Sequence, residues 1–244
     1  MEKTIFYFVL CLLIVNLNAI NVQSVESNTF LGIQAGYCIN PNHFDVLPCP
    51  PTCPSFEPGN TTGYYVGMNY HLPFNFTNFG LMFKLNYFST RFKSSVDLYG
   101  ECAKLIIQEA ENVLIRTTRT ITYSALVFEA LASYEFGNLK VFGGLNIGYF
   151  VFSNGKYEAD IISPENLHFS NNSRHFETSR DLDDEDINKL MYGASAGLEY
   201  NFQIGESIFA GPEIFMIYPF TKYENDINWT MFFVNFGATI KIKL

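Results

Sequence analysis

Eight segments of the chain alternate apolar and polar residues with a period of two, which is the pattern of β-strands that have two different faces. On one face the residues are almost all aliphatic or aromatic, and on the other they are mostly glycine, amide and charged residues. A water-exposed surface built only of large apolar side chains would favour aggregation, so we expect the apolar face to contact lipid and the polar face to line an interior. The predicted strands lie near residues 28–38, 62–72, 79–89, 139–151, 192–202, 208–218 and 232–244, and the fourth strand ends with residues 128–136.

Aromatic residues mark both ends of the apolar face. At the strand ends next to long polar connections the apolar row finishes in tyrosine, at Tyr37, Tyr64, Tyr87, Tyr149, Tyr192 and Tyr218. The opposite strand ends, which short turns join, carry Phe79, Tyr134, Phe136, Tyr200 and Phe202. Two aromatic rings that bound an apolar band are typical of a β-barrel that spans a membrane. We therefore predict an all-β fold, an eight-stranded antiparallel up-and-down transmembrane β-barrel.

Short and long connections alternate along the chain, as they do in bacterial barrels with short periplasmic turns and longer outer loops. Gly137-Asn138 is a two-residue hairpin signal, and residues 73–78 and 203–207 are also short connections. Both termini of the mature chain are then expected in the periplasm. The long polar loops are predicted at 39–61, 90–119, 152–190 and 219–230.

Pro212 interrupts the seventh predicted strand. A closed barrel has no free edge at which a missing N–H group is harmless, so we expect a β-bulge at this residue.

The N-terminus has the residue pattern expected of an export signal. Lys3 precedes one continuous apolar run, residues 5–15, which is too short to cross a membrane as a helix and matches the apolar part of a secretory signal peptide. We predict a signal peptide over residues 1–19, with cleavage as late as residue 24, and a barrel domain over 28–244. No helical span follows the signal, so insertion in a membrane must use strands.

Cysteine usage agrees with export. Cys11 leaves with the signal, and the even number that remains predicts disulfides, with free thiols as the alternative. Cys49 with Cys53 is one pairing, and Cys38 with Cys102 is a possible second pairing. The formal net charge of −9 disfavours a nucleic-acid partner.

Charged residues occur on the predicted inward face. A barrel of eight strands has room inside only for side chains, and buried charges must pair. We expect a structural salt-bridge network, with a proton or ion path as the alternative, and Lys84 or Lys241 as partner of Glu199. The residues of this network are Lys84, Glu129, Lys140, Glu199, Glu213 and Lys241.

Catalytic and metal signals are weak. His71 lies on the inward face, where a barrel lipase or acylase would also need a serine and a carboxylate, so we expect a hydrogen-bonded interior histidine. His43, His168 and His175 lack metal-ligand spacing, and the acidic run at 181–186 is expected to be solvated. We predict no catalytic residue, cofactor or metal.

Two segments resemble a known family. The first has Pro48, Cys49, Cys53, Pro54, Phe56, Gly59, Gly63, Gly67, Tyr70, Leu72, Pro73 and Phe74. The second is Gly211-Pro212-Glu213 followed by Tyr218. Together they resemble the small outer-membrane β-barrel domain family, which is related in shape to the OmpA transmembrane domain.

The resemblance implies a place in the bacterial outer membrane more firmly than it implies an activity. Members often have adjacent cysteines, whereas residues 50–52 separate Cys49 from Cys53 here. Many also carry a peptidoglycan-binding domain after the barrel, and this chain stops at Leu244, so cell-wall tethering is not expected. Leu244 also stands where such barrels commonly end in phenylalanine.

We therefore expect a monomeric, non-enzymatic outer-membrane barrel in contact with lipid. Its role is expected to be structural, or to lie in binding an extracellular ligand or protein through the long loops. The alternatives are a narrow pore or transporter for small solutes, a lipid-modifying barrel enzyme and a soluble secreted ligand-binding barrel.

Overall fold

The computed structural model describes residues 29–40, 60–74, 77–104, 106–107, 113–182, 187–222 and 232–244. The predicted signal peptide, Cys49, Cys53, His43 and residues 183–186 of the acidic run lie outside these ranges. The strands are β1 (Phe30–Asn40), β2 (Asn60–Pro73), β3 (Phe79–Tyr99), β4 (Leu114–Phe136), β5 (Leu139–Ser163), β6 (His175–Asp181), β7 (Leu190–Tyr200), β8 (Phe202–Gln203), β9 (Ile208–Pro219) and β10 (Phe233–Lys243). A short helix, α1 (Glu101–Lys104), follows β3. Within the described ranges no helix has both the length and the apolar character needed to cross a membrane.

The sheet closes on itself. β10 pairs with both β9 and β1, and the ring runs β1-β2-β3-β4-β5-β7-β9-β10 with antiparallel neighbours throughout. β6 pairs with β5 outside the ring, and β8 pairs with the beginning of β9. The predicted eight-stranded antiparallel barrel is confirmed.

The strands are staggered around the ring. Ile39 pairs with Val234, so Phe233 is level with Asn40. A ring that starts at Phe30 therefore returns to β1 ten residues farther along, which corresponds to a strand tilt of about 40° and is normal for a closed barrel. The partners on this path are Phe30, His71, Met82, Leu131, Gly144, Ser195, Ile217 and Phe233.

The two faces of the strands have the predicted polarity. Ile33 and Leu145 point outward and are each 66% exposed, whereas their neighbours Gln34 and Asn146 point inward and are buried. Large apolar side chains outside and amides inside are the reverse of a soluble barrel. The strand faces could therefore be read from the sequence alone.

The hairpin predicted at Gly137-Asn138 is confirmed, whereas the bulge predicted within strand β9 is not. Phe136 pairs with Leu139, and Gly137 has the positive φ of 61° that a two-residue hairpin needs at its first central position. The bulge predicted at Pro212 is wrong, because the register of β9 against β10 continues through this residue without a shift. The absent N–H group instead coincides with a gap in the opposite ladder, which separates β7 from β8.

Three strands continue beyond the barrel, so the long loops predicted at 90–119 and 152–190 are partly wrong. β3, β4 and β5 extend outward and pair with one another, and β6 adds a fourth strand. We call residues 92–99, 114–123, 153–163 and 175–181 the outer sheet. Many of its polar residues are Ser and Thr, and threonine is favoured in strands, so a polar composition did not mean a loop here.

The outer sheet has its own small core on one face. Ile115, Ala159 and Ile161 are buried against Ala103 of α1 and against Val113. Side chains of the segment after β5, including Leu167 and Phe169, cover this cluster. The opposite face is polar and continues the outward face of the barrel.

Candidate functional site

The barrel interior brings the predicted charges together in its lower half, near the short turns. The Lys84 ammonium donates to Glu213, and the Lys241 ammonium donates to Glu199. Lys140 lies 3.1 Å from the carboxylate of Glu135, which is at the mouth of the barrel. All six predicted network residues are at most 3% exposed, so each charge needs the partner that the barrel supplies.

The tilt of the strands decides which lysine pairs with which glutamate inside the barrel. Of the two lysines considered for Glu199, Lys241 is the partner and Lys84 is not. Lys84 crosses the barrel to Glu213, and its ammonium lies 4.1 Å from the centre of the Phe142 ring. The aromatic contact adds cation–π attraction to the ion pair.

A chain of amides ends at Glu129. Asn69 donates to Gln34 (2.9 Å), Gln34 donates to Asn86 (2.6 Å), and Asn86 donates to Oε1 of Glu129 (2.8 Å). Glu129 Oε2 and the side-chain oxygen of the facing Asn146 are buried and have no hydrogen-bond donor in the described part of the chain. Among these residues Glu129 is held by the Asn86 amide, with the Ser195 hydroxyl nearby, and it has no lysine ion pair.

His71 has the wrong polarity for a catalytic base. Its Nδ1 is 3.0 Å from the Lys140 ammonium, which has no lone pair, so Nδ1 must accept that hydrogen bond. Nε2 then carries the hydrogen and donates to the Ser133 hydroxyl at 3.0 Å. An imidazole in this tautomer cannot take a proton from Ser133. Phe30 stacks on the His71 ring, and the histidine therefore bridges polar groups, as expected.

Aromatic side chains fill the interior beside and above the charges, and their cluster continues into the base of the outer sheet at Phe92 and Tyr123. Tyr65 stacks on Phe88 with ring centres 5.7 Å apart and meets Phe215 edge-on at 5.2 Å. Gly36 leaves room for this ring, since a Cβ there would lie 2.6 Å from Tyr65 Cε1. The period of two places these apolar residues on the inward face, but it does not show that their rings pack together. The buried aromatic members are Tyr65, Phe88, Phe92, Tyr123, Phe142, Phe150, Phe215 and Phe233.

A cavity of about 450 Å³ opens at the turn end of the barrel. Phe30, Phe209, Glu135, Lys140 and Lys241 line it. Both lysines already donate to carboxylates of the chain. The cluster of buried aromatic side chains lies between this cavity and the other end of the barrel.

The polar face of the outer sheet is organised by ion pairs. Arg116 binds Asp97 through two hydrogen bonds of 2.8 and 2.9 Å, and this contact lowers the pKa of Asp97. His175 bonds Asp160 at 2.7 Å, which raises the pKa of His175. Lys156, 3.0 Å from Glu177, lowers the pKa of that carboxyl.

The same face holds a cluster that sequence spacing could not show. Pairing of β5 with β6 brings the ligand atoms of Glu158, His175 and Glu177 within 4.8 Å of one another, although His175 has no metal-ligand spacing in the sequence. The Lys156 ammonium lies 2.9 Å from Glu158 and 3.0 Å from Glu177. The chain therefore supplies its own cation between the two facing carboxylates.

The state of the described cysteines contradicts one of the two predicted disulfides. Cys38 is a free thiol that is fully buried inside the barrel, and Cys102 is disulfide-bonded. The proposed Cys38–Cys102 bridge is wrong, because Cys38 points into the barrel whereas Cys102 belongs to α1 beyond it. The partner of Cys102 lies outside the described residues, as do Cys49 and Cys53.

Comparison with known proteins finds structural neighbours only. No family model matches the chain, and no curated protein matches it. The attachment invasion locus protein Ail of Yersinia pestis shares 14% identity over 88% of this chain and 99% of that chain, with a TM-score of 0.38. Neisserial surface protein A shares 11% over 89% and 98%, with a TM-score of 0.35. The outer membrane protease OmpT of Escherichia coli shares 9% over 92% and 99%, with a TM-score of 0.36.

These neighbours are outer-membrane β-barrel proteins with different roles. At such identities and TM-scores the likeness carries no argument about the role of this chain. The closer relation to the OmpA transmembrane domain stays a prediction. The functional argument rests on the chain's own residues.

Proposed function

We propose that this chain is an exported bacterial outer-membrane β-barrel without enzymatic activity, which acts as a structural or surface-interaction protein. The observation that carries the proposal is the outward belt of exposed aliphatic and aromatic side chains. Ile33, Leu145 and Met68 are 66%, 66% and 55% exposed, and they lie between the two aromatic rings. Exposing such a belt of apolar side chains to water would cost free energy and favour aggregation, whereas a barrel surface in contact with lipid has to be apolar.

The height of the belt supports a membrane. On β3 the rings are marked by Phe79 and Tyr87, and on β7 by Tyr200 and Tyr192. Eight residues separate the two rings on each strand. At the tilt of this barrel that separation is about 20 Å along the axis, close to the apolar band of outer-membrane barrels.

The interior argues against the pore. Tyr65 stacks on Phe88 of the adjacent strand and meets Phe215 of β9 edge-on, and all three rings are buried inside the barrel. The charges below them are paired, and releasing an ion into this space would cost several kcal/mol for each broken pair. Planar-bilayer recording should show no discrete conductance steps, and reproducible steps would favour the pore.

The polarity of His71 argues against an acyl-transfer enzyme at the one serine–histidine pair found inside the barrel among the described residues. Its Nε2 donates to Ser133, which is the opposite of base activation. The lipids of a deletion strain should be unchanged. A change that the wild-type gene reverses and Ser133→Ala does not would favour the enzyme.

We assign the interaction role to the outer sheet, because it projects beyond the tyrosine ring and carries a small buried cluster of its own. The proposed orientation places this sheet outside the cell and both mature termini in the periplasm. An epitope inserted at 171–172 should be accessible to antibody on intact cells, and one at 137–138 should become accessible only after lysis. The opposite pattern would invert the orientation.

A matched gel experiment tests the closed barrel itself. The ladder hydrogen bonds of a closed ring persist in detergent, so unheated and boiled samples should migrate differently. Fractionation should place the heat-modifiable band in the outer membrane. A soluble, unshifted protein would contradict the proposal.

A further inference from the structure

A strip of hydrogen-bond donors lies directly beyond the tyrosine ring on the outward face. Arg91 and Lys93 are exposed on β3, four and six residues past Tyr87. Arg91 pairs in register with Thr62 of β2 and with Thr122 of β4. We call Thr62, Arg91, Lys93, Thr120 and Thr122 the basic strip. At the tilt of this barrel Arg91 lies about 10 Å beyond Tyr87 along the axis.

The strip contains no carboxylate, and its two cations have no hydrogen bond or ion pair with the described residues. Acidic groups of the same face lie farther out and already have partners, as Asp97 does with Arg116. Asp181 is nearer in height, but it is three strands away from Arg91 and accepts from Asn154. Positive charge is thus concentrated next to the apolar belt, and negative charge beyond it.

We propose that the basic strip binds the phosphate groups of anionic lipid in the outer leaflet, an inference that rests on the proposed membrane location. The belt is continuous with the strip on β3, so a lipid whose chains cover Leu85 brings its headgroup to the level of Arg91. A guanidinium can bind two phosphate oxygens at once, and an ammonium adds a point charge. The threonine hydroxyls supply further donors on the neighbouring strands.

Thr62 and Thr122 flank Arg91, and Thr120 faces Lys93, so donors surround both cations at the spacing of neighbouring strands. A basic residue close to an anionic membrane surface changes lipid occupancy by roughly fivefold. Two such residues should together favour an anionic lipid over a zwitterionic one by more than tenfold. The hydroxyls should refine the geometry without contributing charge.

The test uses the full chain folded into vesicles of phosphatidylcholine with one tenth phosphatidylglycerol, from which protein–lipid complexes are analysed by native mass spectrometry. The test variant is Arg91→Gln with Lys93→Gln. The matched control is Arg116→Gln with Lys156→Gln, which removes two positive charges from the same face but farther from the belt. We expect the phosphatidylglycerol enrichment of the test variant to be at least tenfold lower than that of the wild type, and the enrichment of the control variant to equal that of the wild type.

Each of the following outcomes overturns the inference. One is that the test variant retains the phosphatidylglycerol enrichment of the wild type. Another is that the control variant loses as much enrichment as the test variant, which would assign the effect to net charge. A further one is that inorganic phosphate at 10 mM removes the enrichment, which would make the ligand a free anion. If the wild type inserts with a heat-modifiable gel shift and shows no enrichment, only the strip is wrong. If the wild type does not insert at all, the proposed membrane location fails with it.

Discussion

Lys84 and Glu129 face each other directly on β3 and β4, yet the Lys84 ammonium donates to Glu213 on the opposite wall of the barrel. Glu129 instead accepts from the Asn86 amide on Oε1 and has the Ser195 hydroxyl nearby, with no lysine ion pair among the described residues. Two buried glutamates of the same interior therefore differ in what holds them. That difference predicts different responses to the same substitution.

Glu213→Gln should destabilise the barrel by about 3–5 kcal/mol, because it leaves the buried Lys84 ammonium without its carboxylate. Glu129→Gln should cost much less. A glutamine there can still accept from Asn86, and its amide can donate to the Asn146 oxygen, which lacks a donor. Urea unfolding of both variants in lipid vesicles compares them, and equal losses would show that Glu129 depends on an ion pair as Glu213 does.

The hairpin formed by β5 and β6 should be most stable at mildly acidic pH. The hydrogen bond to Asp160 raises the pKa of His175 above 6.5, so its contribution is complete below pH 6.5 and is lost as pH rises through the raised value. The hydrogen bond from Lys156 lowers the pKa of Glu177 below 4.5, so its contribution is complete above pH 4.5 and is lost as pH falls through the lowered value. Both are complete between these limits.

Hydrogen-exchange protection factors of the β6 amides across this range measure the effect. Protection should fall from pH 6 to pH 9 in the wild type and change little in His175→Gln. The barrel amides of β7 serve as an internal control, since β6 pairs with β5 beyond the part of β5 that pairs with β7. Protection of β6 that rises with pH would contradict the assignment.

Disulfide mapping should join Cys102 to a cysteine other than Cys38. The Cys38 thiol is buried in the barrel and should react with a charged alkylating reagent only after the barrel is unfolded. Digestion of the non-reduced protein followed by mass spectrometry checks both statements. A linked peptide that contains both Cys38 and Cys102 would refute them.

The barrel could be predicted from sequence because each strand of a membrane barrel has one lipid face, and a period of two records it. Tyr64 and Tyr65 illustrate the limit, since alternation places one outward and one inward but does not say that Tyr65 fills the barrel with Phe88 and Phe215. Filling depends on which side chains meet across the ring. The stagger of ten residues decides this, and no local pattern contains it.

The dependence on contacts across the ring also explains why the interior charge network was predicted only in part. Lys241 could be named as a partner of Glu199, but the choice between Lys84 and Lys241 depends on contacts across the barrel. The outer sheet was missed because its rows of Ser and Thr resemble a polar loop, and its apolar row is covered by α1 and the segment after β5. His175 joined Glu158 and Glu177 only through the pairing of β5 with β6.

The most direct test of the account is the chemical environment of residue 145, because Leu145 is 66% exposed at the middle of the belt. A Leu145→Cys variant is treated in intact vesicles with a charged maleimide or with an uncharged, lipid-soluble maleimide, and labelling of the parent chain is subtracted. Ser179→Cys, on the exposed β6, is the matched control. The account predicts that position 145 reacts only with the lipid-soluble reagent and that position 179 reacts with both. Fast labelling of position 145 by the charged reagent would show that the belt faces water, and would contradict the membrane barrel.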